Sequence, residues 1–395
     1  MIAAAAPPPP AETTVPYGRT LRRLFRLDEA ATFLNHGSFG LTPLTVLAAQ
    51  EAFRTEMERQ PVQFLSRVTL QPRLRAAAGQ LAAFLGAAAD DLVFVDNATT
   101  GVNAVLRSLV LRAGDEVLIN DHTYPAVRNA VRFVCARAGA SIVEAKLPFP
   151  AESPDAIVAA VTAALTDRTR LAIFDLVSSA SAIIMPAAAL ARVCRDAGVR
   201  VLIDAAHGPG MLDLDLPGLQ ADWVSGNAHK WLFAPKGCAL LWAAKEAQQE
   251  LHPTVISHGF EQGFTNEFDW TGTRDPTAWL ALPAALDFYR SMGNGALRAR
   301  NHALAVAAGE MLAKRWGTMT GAPAAMAGAM AVVRLPGRSP ATLPAAQAVH
   351  DRLWQKYHIE VPVMSIGQAL WVRVSAQIYN DLEDYEKLAA ALAEP

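Results

Sequence analysis

"VRVLIDAAHGPGMLDLDLPGLQADWVSGNAHK", residues 199–230, holds two short apolar runs that each end on polar residues. The first closes on Asp204. The second opens onto Asn227, His229 and Lys230, the lysine standing 230 − 204 = 26 residues beyond the aspartate. Runs of this length, rich in Val, Ile and Leu and bounded by Gly and Pro, read as buried strands. Lys230 is followed by the apolar "WLFAPKG" (231–237), where a lysine is costly to bury unless chemistry requires it.

The same alternation extends toward the N-terminus. "LVFVDNATT" (92–100) precedes the helical "GVNAVLRSLVLRAG", "DEVLIND" (115–121) precedes "PAVRNAVRFVCARAG", and "RLAIFDLVSS" (170–179) precedes "PAAALARVCRDAG". This β-then-α repetition predicts an α/β fold with a mainly parallel, doubly wound sheet and helices on both faces. In such sheets ligands gather at the carboxyl ends of the strands, so the polar residues that close each run are the candidates for chemistry. A helical stretch, "PTAWLALPAALDFYRSMG" (276–293), leads toward a smaller α+β unit built from the Ala-, Pro- and Gly-rich remainder. The expected divisions are a mobile tail over 1–20, an N-terminal segment over 21–60, a large domain over 61–285 and a small domain over 286–395.

Composition narrows the partners. With 35 basic and 37 acidic residues among 395, the formal charge of −2 supplies no field that would gather nucleic acid or an anionic membrane, which leaves small molecules. Three widely spaced cysteines, Cys135, Cys194 and Cys238, fit a reducing compartment without a disulfide framework. The opening "MIAAAAPPPPAETT" has no basic n-region, and no apolar run reaches the roughly 18 residues of a membrane span, so the expected location is the cytoplasm.

An acid at one strand end and a lysine after the next suit pyridoxal 5'-phosphate, whose aldehyde condenses with a lysine and whose ring nitrogen takes an acidic partner. A carboxylate beside that nitrogen keeps it protonated, so the ring can draw electrons from a substrate Cα. The phosphate has a candidate cradle in "DNATTGVNAVL", where Thr99, Thr100 and Gly101 open a helix with free N–H groups. The same residues also suit an ordinary helix cap. Neither a Walker loop nor a GxGxxG turn follows any strand.

"FLNHGSFG" (33–40), "DAAHGPG" (204–210), "SGNAHKW" (225–231) with "APKG", "DWTGTRD" (269–275) and "WVRVSAQIYN" (371–380) together resemble the class V aminotransferase superfamily of fold type I pyridoxal phosphate enzymes. They are most similar to its isopenicillin N epimerase-like branch, and the matches run from residue 33 to residue 380. The resemblance implies that Lys230 forms the Schiff base, Asp204 meets the pyridine nitrogen and His207 lies near the cofactor. Tyr124 matches the aromatic residue that stacks on the ring, and Thr99 and Thr100 match the phosphate turn, with Asn227 and His229 as further donors. Ser179 falls near the cofactor's phenolic oxygen, and Arg373 matches the grip on the substrate carboxylate. Asn35 and His36 belong to the segment that closes over the site. Thr273 matches a residue that reaches the phosphate of the neighbouring subunit in a homodimer. Leu176 stands where relatives of this branch often carry histidine.

The implied machinery is shared by epimerisation, Cβ elimination and transamination. Desulfurases of this superfamily use a mobile thiol in the C-terminal domain, and no cysteine occurs after Cys238. The branch points first to an amino acid epimerase, then to a Cβ-S lyase similar to hercynylcysteine sulfoxide lyase or to an aminotransferase. A catalytically silent cofactor-binding scaffold is the non-enzyme alternative.

Overall fold

The computed structural model describes residues 16–337 and 340–392, so most of the tail expected over 1–20 lies outside the described residues. In chain order the strands are β1 (Thr32–Phe33), β2 (Leu92–Val95), β3 (Glu116–Asn120), β4 (Ser141–Ala145), β5 (Thr169–Asp175), β6 (Arg200–Ala205), β7 (Trp223–Asn227), β8 (Ala239–Ala243), β9 (Met330–Arg334), β10 (Ile359–Glu360), β11 (Val363–Ile366) and β12 (Ala369–Ser375). Seven of them form the main sheet in the order β2-β8-β7-β6-β5-β3-β4.

Side chains alternate across that sheet with the two-residue period of a strand. Leu92 and Phe94 of β2, Leu118 of β3, and Ala172 and Phe174 of β5 enter one core, while Val93, Val95, Val117, Ile119, Leu171 and Ile173 enter the other. Helices Ala98–Ser108 and Pro125–Ala138 cover the second face through Val102, Val105, Val127 and Val131. Helices Arg67–Phe84, Ala187–Asp196 and Leu282–Ser291 cover the first. Both faces are buried, as continuous apolar strands require.

Sequence alternation predicts parallel strands, and β3 to β7 are parallel, but β8 runs antiparallel between β7 and β2. No crossover helix joins β7 to β8. The chain returns through residues 228–238, and a direct return of that kind must be antiparallel. Lys230 lies in this return.

Beyond helix Gly295–Trp316, strands β9, β12 and β11 form an antiparallel sheet against which that helix and Leu343–Tyr357 pack. The N-terminal segment is tied to this C-terminal part. The Gly18 N–H donates to the Ile378 carbonyl at 2.7 Å, and β1 pairs in parallel with β10. Gly40 then holds φ at +69°, and a Cβ there would collide with the carbonyl oxygens of His229 and Lys230. The segment is thereby pressed against the backbone of the β7–β8 return.

Candidate active site

The carboxyl ends of β2, β3, β5, β6 and β7 open on one cleft of about 490 Å³, whose walls include Thr99, Tyr124, Asp175, Asp204, His207 and Lys230. Asp204 ends β6, and the Ala206 N–H donates to its Oδ1 at 2.9 Å. Lys230 Nζ lies 3.2 Å from His207 Nε2. Burial and the nearby Arg373 guanidinium lower the Lys230 pKa to about 8, with Asp204 and Asp175 opposing them. The amine is therefore far easier to deprotonate than a surface lysine. Burial raises the Asp204 pKa, with the Ala206 N–H and Lys230 opposing it, and burial also holds His207 well below the ordinary histidine value, with the charge of Lys230 acting in the same direction.

The turn after β2 is built by two asparagines. Asn97 Oδ1 accepts the Thr100 N–H at 2.9 Å, and Asn227 Oδ1, arriving from β7, accepts the Ala98 N–H at 2.8 Å. Thr100 turns its hydroxyl back to Asn97 at 3.2 Å and so belongs to the cap, while Thr99 lines the cleft. Gly101 lets the helix lie against β7, because a Cβ there would strike the Ser225 hydroxyl. His229 Nδ1 lies 3.1 Å from the Cys238 carbonyl, which only accepts, so that nitrogen carries the proton. Burial lowers its pKa to about 4, leaving a neutral ring with a bare Nε2.

Arg373, on β12, is 2% exposed. It donates to the Ser179 carbonyl and, through Nη2, to Ser38 Oγ at 3.1 Å and Asn35 Oδ1 at 3.4 Å. Its Nε has no partner, and among the described residues no carboxylate pairs with it. Burial lowers its pKa to about 10. A buried cation without a counter-ion is a site for an anionic ligand.

Other predicted residues lie on the cleft wall, behind it or at the surface. His36 is 1% exposed, with Nδ1 at 2.7 Å from the Tyr379 hydroxyl and Nε2 at 2.9 Å from the Lys230 carbonyl, so it braces the lysine's backbone from behind. Ser179 stands on the cleft wall but gives its carbonyl and hydroxyl to Arg373. Leu176 is buried beneath Gly208. Thr273 is exposed, while its neighbour Arg274 pairs with Asp96 beside the capped turn. Asp175, Asn97 and Ser38 also line the cleft. Reading by motif passed over them, although Asp175 closes an apolar run just as Asp204 does.

Comparison with known proteins decides among folds that share such clefts. The model of the aminotransferase class-V family matches residues 32–388. The chain belongs to that family. Similar proteins include an isopenicillin N epimerase of Amycolatopsis lactamdurans, 37% identical over 94% of this chain and 97% of that protein. A putative L-cysteine desulfhydrase 2 of Oryza sativa subsp. japonica is 34% identical over 93% of this chain and 85% of that protein. Among solved structures, a C-DES variant with glycine covalently linked to its PLP cofactor superposes with a TM-score of 0.78 at 23% identity, covering 94% of this chain and 99% of that one.

This class-V enzyme is pyridoxal 5'-phosphate-dependent and has the fold type I architecture. Its own residues fit the cofactor. The cleft joins a helix N-terminus for the phosphate, a buried carboxyl for the ring nitrogen and, for the aldehyde, a lysine whose pKa is lowered to about 8. His229 lines the same cleft, and an anion beside its ring would raise its pKa.

Proposed function

We propose that this enzyme removes the α-proton of an α-amino acid and returns it on the opposite face, as an amino acid epimerase. The observation that carries the reading is the placement of Lys230 and Tyr124. In the sheet order β7-β6-β5-β3, Asp204 and Asp175 occupy the middle strands, Lys230 follows β7 and Tyr124 follows β3. Two groups able to move protons thus reach one cleft from opposite flanks.

Arg373 would bind the substrate carboxylate through its planar fork, exchanging its contacts with Ser38 and Asn35 for the ligand. Carboxylate binding orients Cα between the two flanks. When bound, pyridoxal phosphate supplies the electron sink for the pair left at Cα, and the Asp204 carboxyl holds the ring-nitrogen proton in place. Lys230 Nζ would take the proton from one side as general base. The Tyr124 hydroxyl, on a ring 40% exposed, delivers a proton from the other.

A Cβ-S lyase is the second reading, favoured by the desulfhydrase relative. All three cysteines are buried, and burial raises their thiol pKa values, so none is placed to accept sulfur as a persulfide. A lyase built on this cleft would release its thiol directly. Incubation of enantiopure amino acids with the holoenzyme in heavy water separates the outcomes. Deuterium at Cα with inverted configuration is expected; keto acid with ammonia would assign the lyase instead, and keto acid with aminated cofactor a transaminase.

The same reading includes a homodimer in which Thr273 completes the partner's phosphate site. Its support is the exposure of Thr273 on a loop anchored by Arg274 at the capped turn. Mixing Lys230→Ala and Thr273→Val subunits should restore activity, because one site of the mixed dimer would then carry both native residues. Two inactive variants that stay inactive when mixed would remove the shared-site arrangement.

A further inference from the structure

His207 is held between the side chains of two consecutive residues. Lys230 Nζ lies 3.2 Å from its Nε2, and the Trp231 indole Nε1 lies 3.2 Å from its Nδ1. An indole N–H only donates, so Nδ1 must present a lone pair. A neutral imidazole has one N–H, which is thereby assigned to Nε2. That N–H faces Lys230 Nζ, and a donor there needs an amine with its lone pair free. An ammonium would set N–H against N–H, and an imidazolium would do the same toward Trp231.

We propose that Trp231 is a positioning residue that fixes His207 as the Nε2–H tautomer and so favours the neutral amine of Lys230 over its ammonium, easing condensation with the aldehyde of pyridoxal phosphate. The condensation joins Nζ to the aldehyde carbon and releases the carbonyl oxygen as water. The proposal rests on the family's cofactor and not on the choice between epimerase and lyase.

Trp231 is well suited to impose this order. It is 1% exposed, its ring stands 4.9 Å from that of His36, and its backbone closes on Gly210, where a Cβ would come within 2.5 Å of the Trp231 carbonyl oxygen. The indole is fixed by packing and the amine by its place in the β7–β8 return, so the imidazole between them has one consistent proton arrangement. Burial lowers both the lysine and the histidine pKa, in the sense this arrangement requires.

Nitrogen-15 spectra of histidine-labelled protein, cofactor-free and cofactor-loaded, test the assignment, with His207→Gln used to identify the resonances. The expected cofactor-free spectrum has a pyridine-like Nδ1 and a pyrrole-like Nε2 above about pH 8, where the Lys230 amine is neutral. The reverse pattern, or an imidazolium, would overturn the proposal. Trp231→Phe is expected to mix the two tautomers and to slow cofactor capture several-fold near neutrality, with capture restored at alkaline pH where Lys230 is deprotonated regardless. Unchanged shifts and an unchanged rate in that variant would equally refute it. Should Trp231→Phe fail to fold, the native spectrum still decides.

Discussion

Asp175 and Asp204 are register partners on adjacent parallel strands, both buried and both at the floor of the cleft. Burial raises the Asp175 carboxyl well above the carboxylate range, and the Asp204 charge raises it further, while the Tyr124 N–H that it accepts opposes them. Two such neighbours share a proton more readily than they both ionise. Asp175 is the more strongly raised of the two, because the Asp204 charge adds to its burial, which leaves the shared proton on Asp175.

Asp175→Asn should therefore stabilise the cofactor-free protein at neutral pH. A carboxyl whose folded pKa is raised binds more protons folded than unfolded, so its cost to stability is absent below the unfolded value, roughly 4, and grows as pH rises above it. The variant's advantage in thermal melts should shrink as pH falls through that value. A constant difference between the two proteins at every pH would show that Asp175 does not titrate with folding. Asp204→Asn, by contrast, should slow α-proton exchange tenfold to a hundredfold, since a charged hydrogen bond is worth about 1.5–3 kcal/mol.

Lys230 gives a prediction of opposite chemical sign. Its pKa is lowered from 10.5 to about 8, so below about 8 the folded protein bears the full cost of a buried ammonium, and that cost is relieved as pH rises from about 8 toward 10.5. Lys230→Met should raise the melting temperature of the cofactor-free protein at neutral pH, with the gain fading across that window. The same titration sets loading. Capture of pyridoxal phosphate by the native protein, followed by its visible absorption, should accelerate with pH and level off above about 8, and borohydride should fix the cofactor to this residue alone. Cofactor mass still attached to the Lys230→Met protein after borohydride and dialysis would place the covalent link elsewhere.

How far the sequence revealed this arrangement depended on the kind of signal. Strand ends were legible because apolar runs stop abruptly at Asp204, Asn227 and Asp96, and these residues do meet at one edge of the sheet. The reversal of β8 was not, since a buried strand reads the same in either direction and only the short 228–238 return marks it. His36 shows another limit. Its motif places it beside the site, yet whether a histidine faces a ligand or braces a backbone depends on Tyr379, 343 residues away. Asp175 has the same local signature as Asp204, but no lysine follows it after one further strand, so the sequence alone does not mark it.

Arg373 should act on binding more than on turnover. Arg373→Lys keeps the charge but loses the fork, so KM should rise tenfold to a hundredfold while kcat changes little, from the loss of about 1.5–3 kcal/mol of charged hydrogen bonding. Arg373→Met should bind still more weakly, yet fold at least as well, because it removes a buried guanidinium with an unpartnered Nε and no counter-ion. Steady-state kinetics and thermal melts check both halves. A fall in kcat with KM unchanged would mean that this arginine does not hold the substrate carboxylate.

The two asparagine caps should separate stability from cofactor affinity. Asn97→Ala removes the acceptor for the Thr100 N–H at the start of helix Ala98–Ser108, an ordinary cap loss of about 1 kcal/mol. Asn227→Ala removes the buried acceptor for the Ala98 N–H and with it the tie between this helix and β7. An unsatisfied buried donor costs about 1–3 kcal/mol, so Asn227→Ala should be the more destabilising of the two. It should also release pyridoxal phosphate faster, because the turn it anchors carries Thr99 into the cleft beside Lys230. Dissociation measured by dilution into excess apo-acceptor would test the link. If Asn227→Ala melts earlier but retains the cofactor as long as the native enzyme, the capped turn supports the helix and not the phosphate.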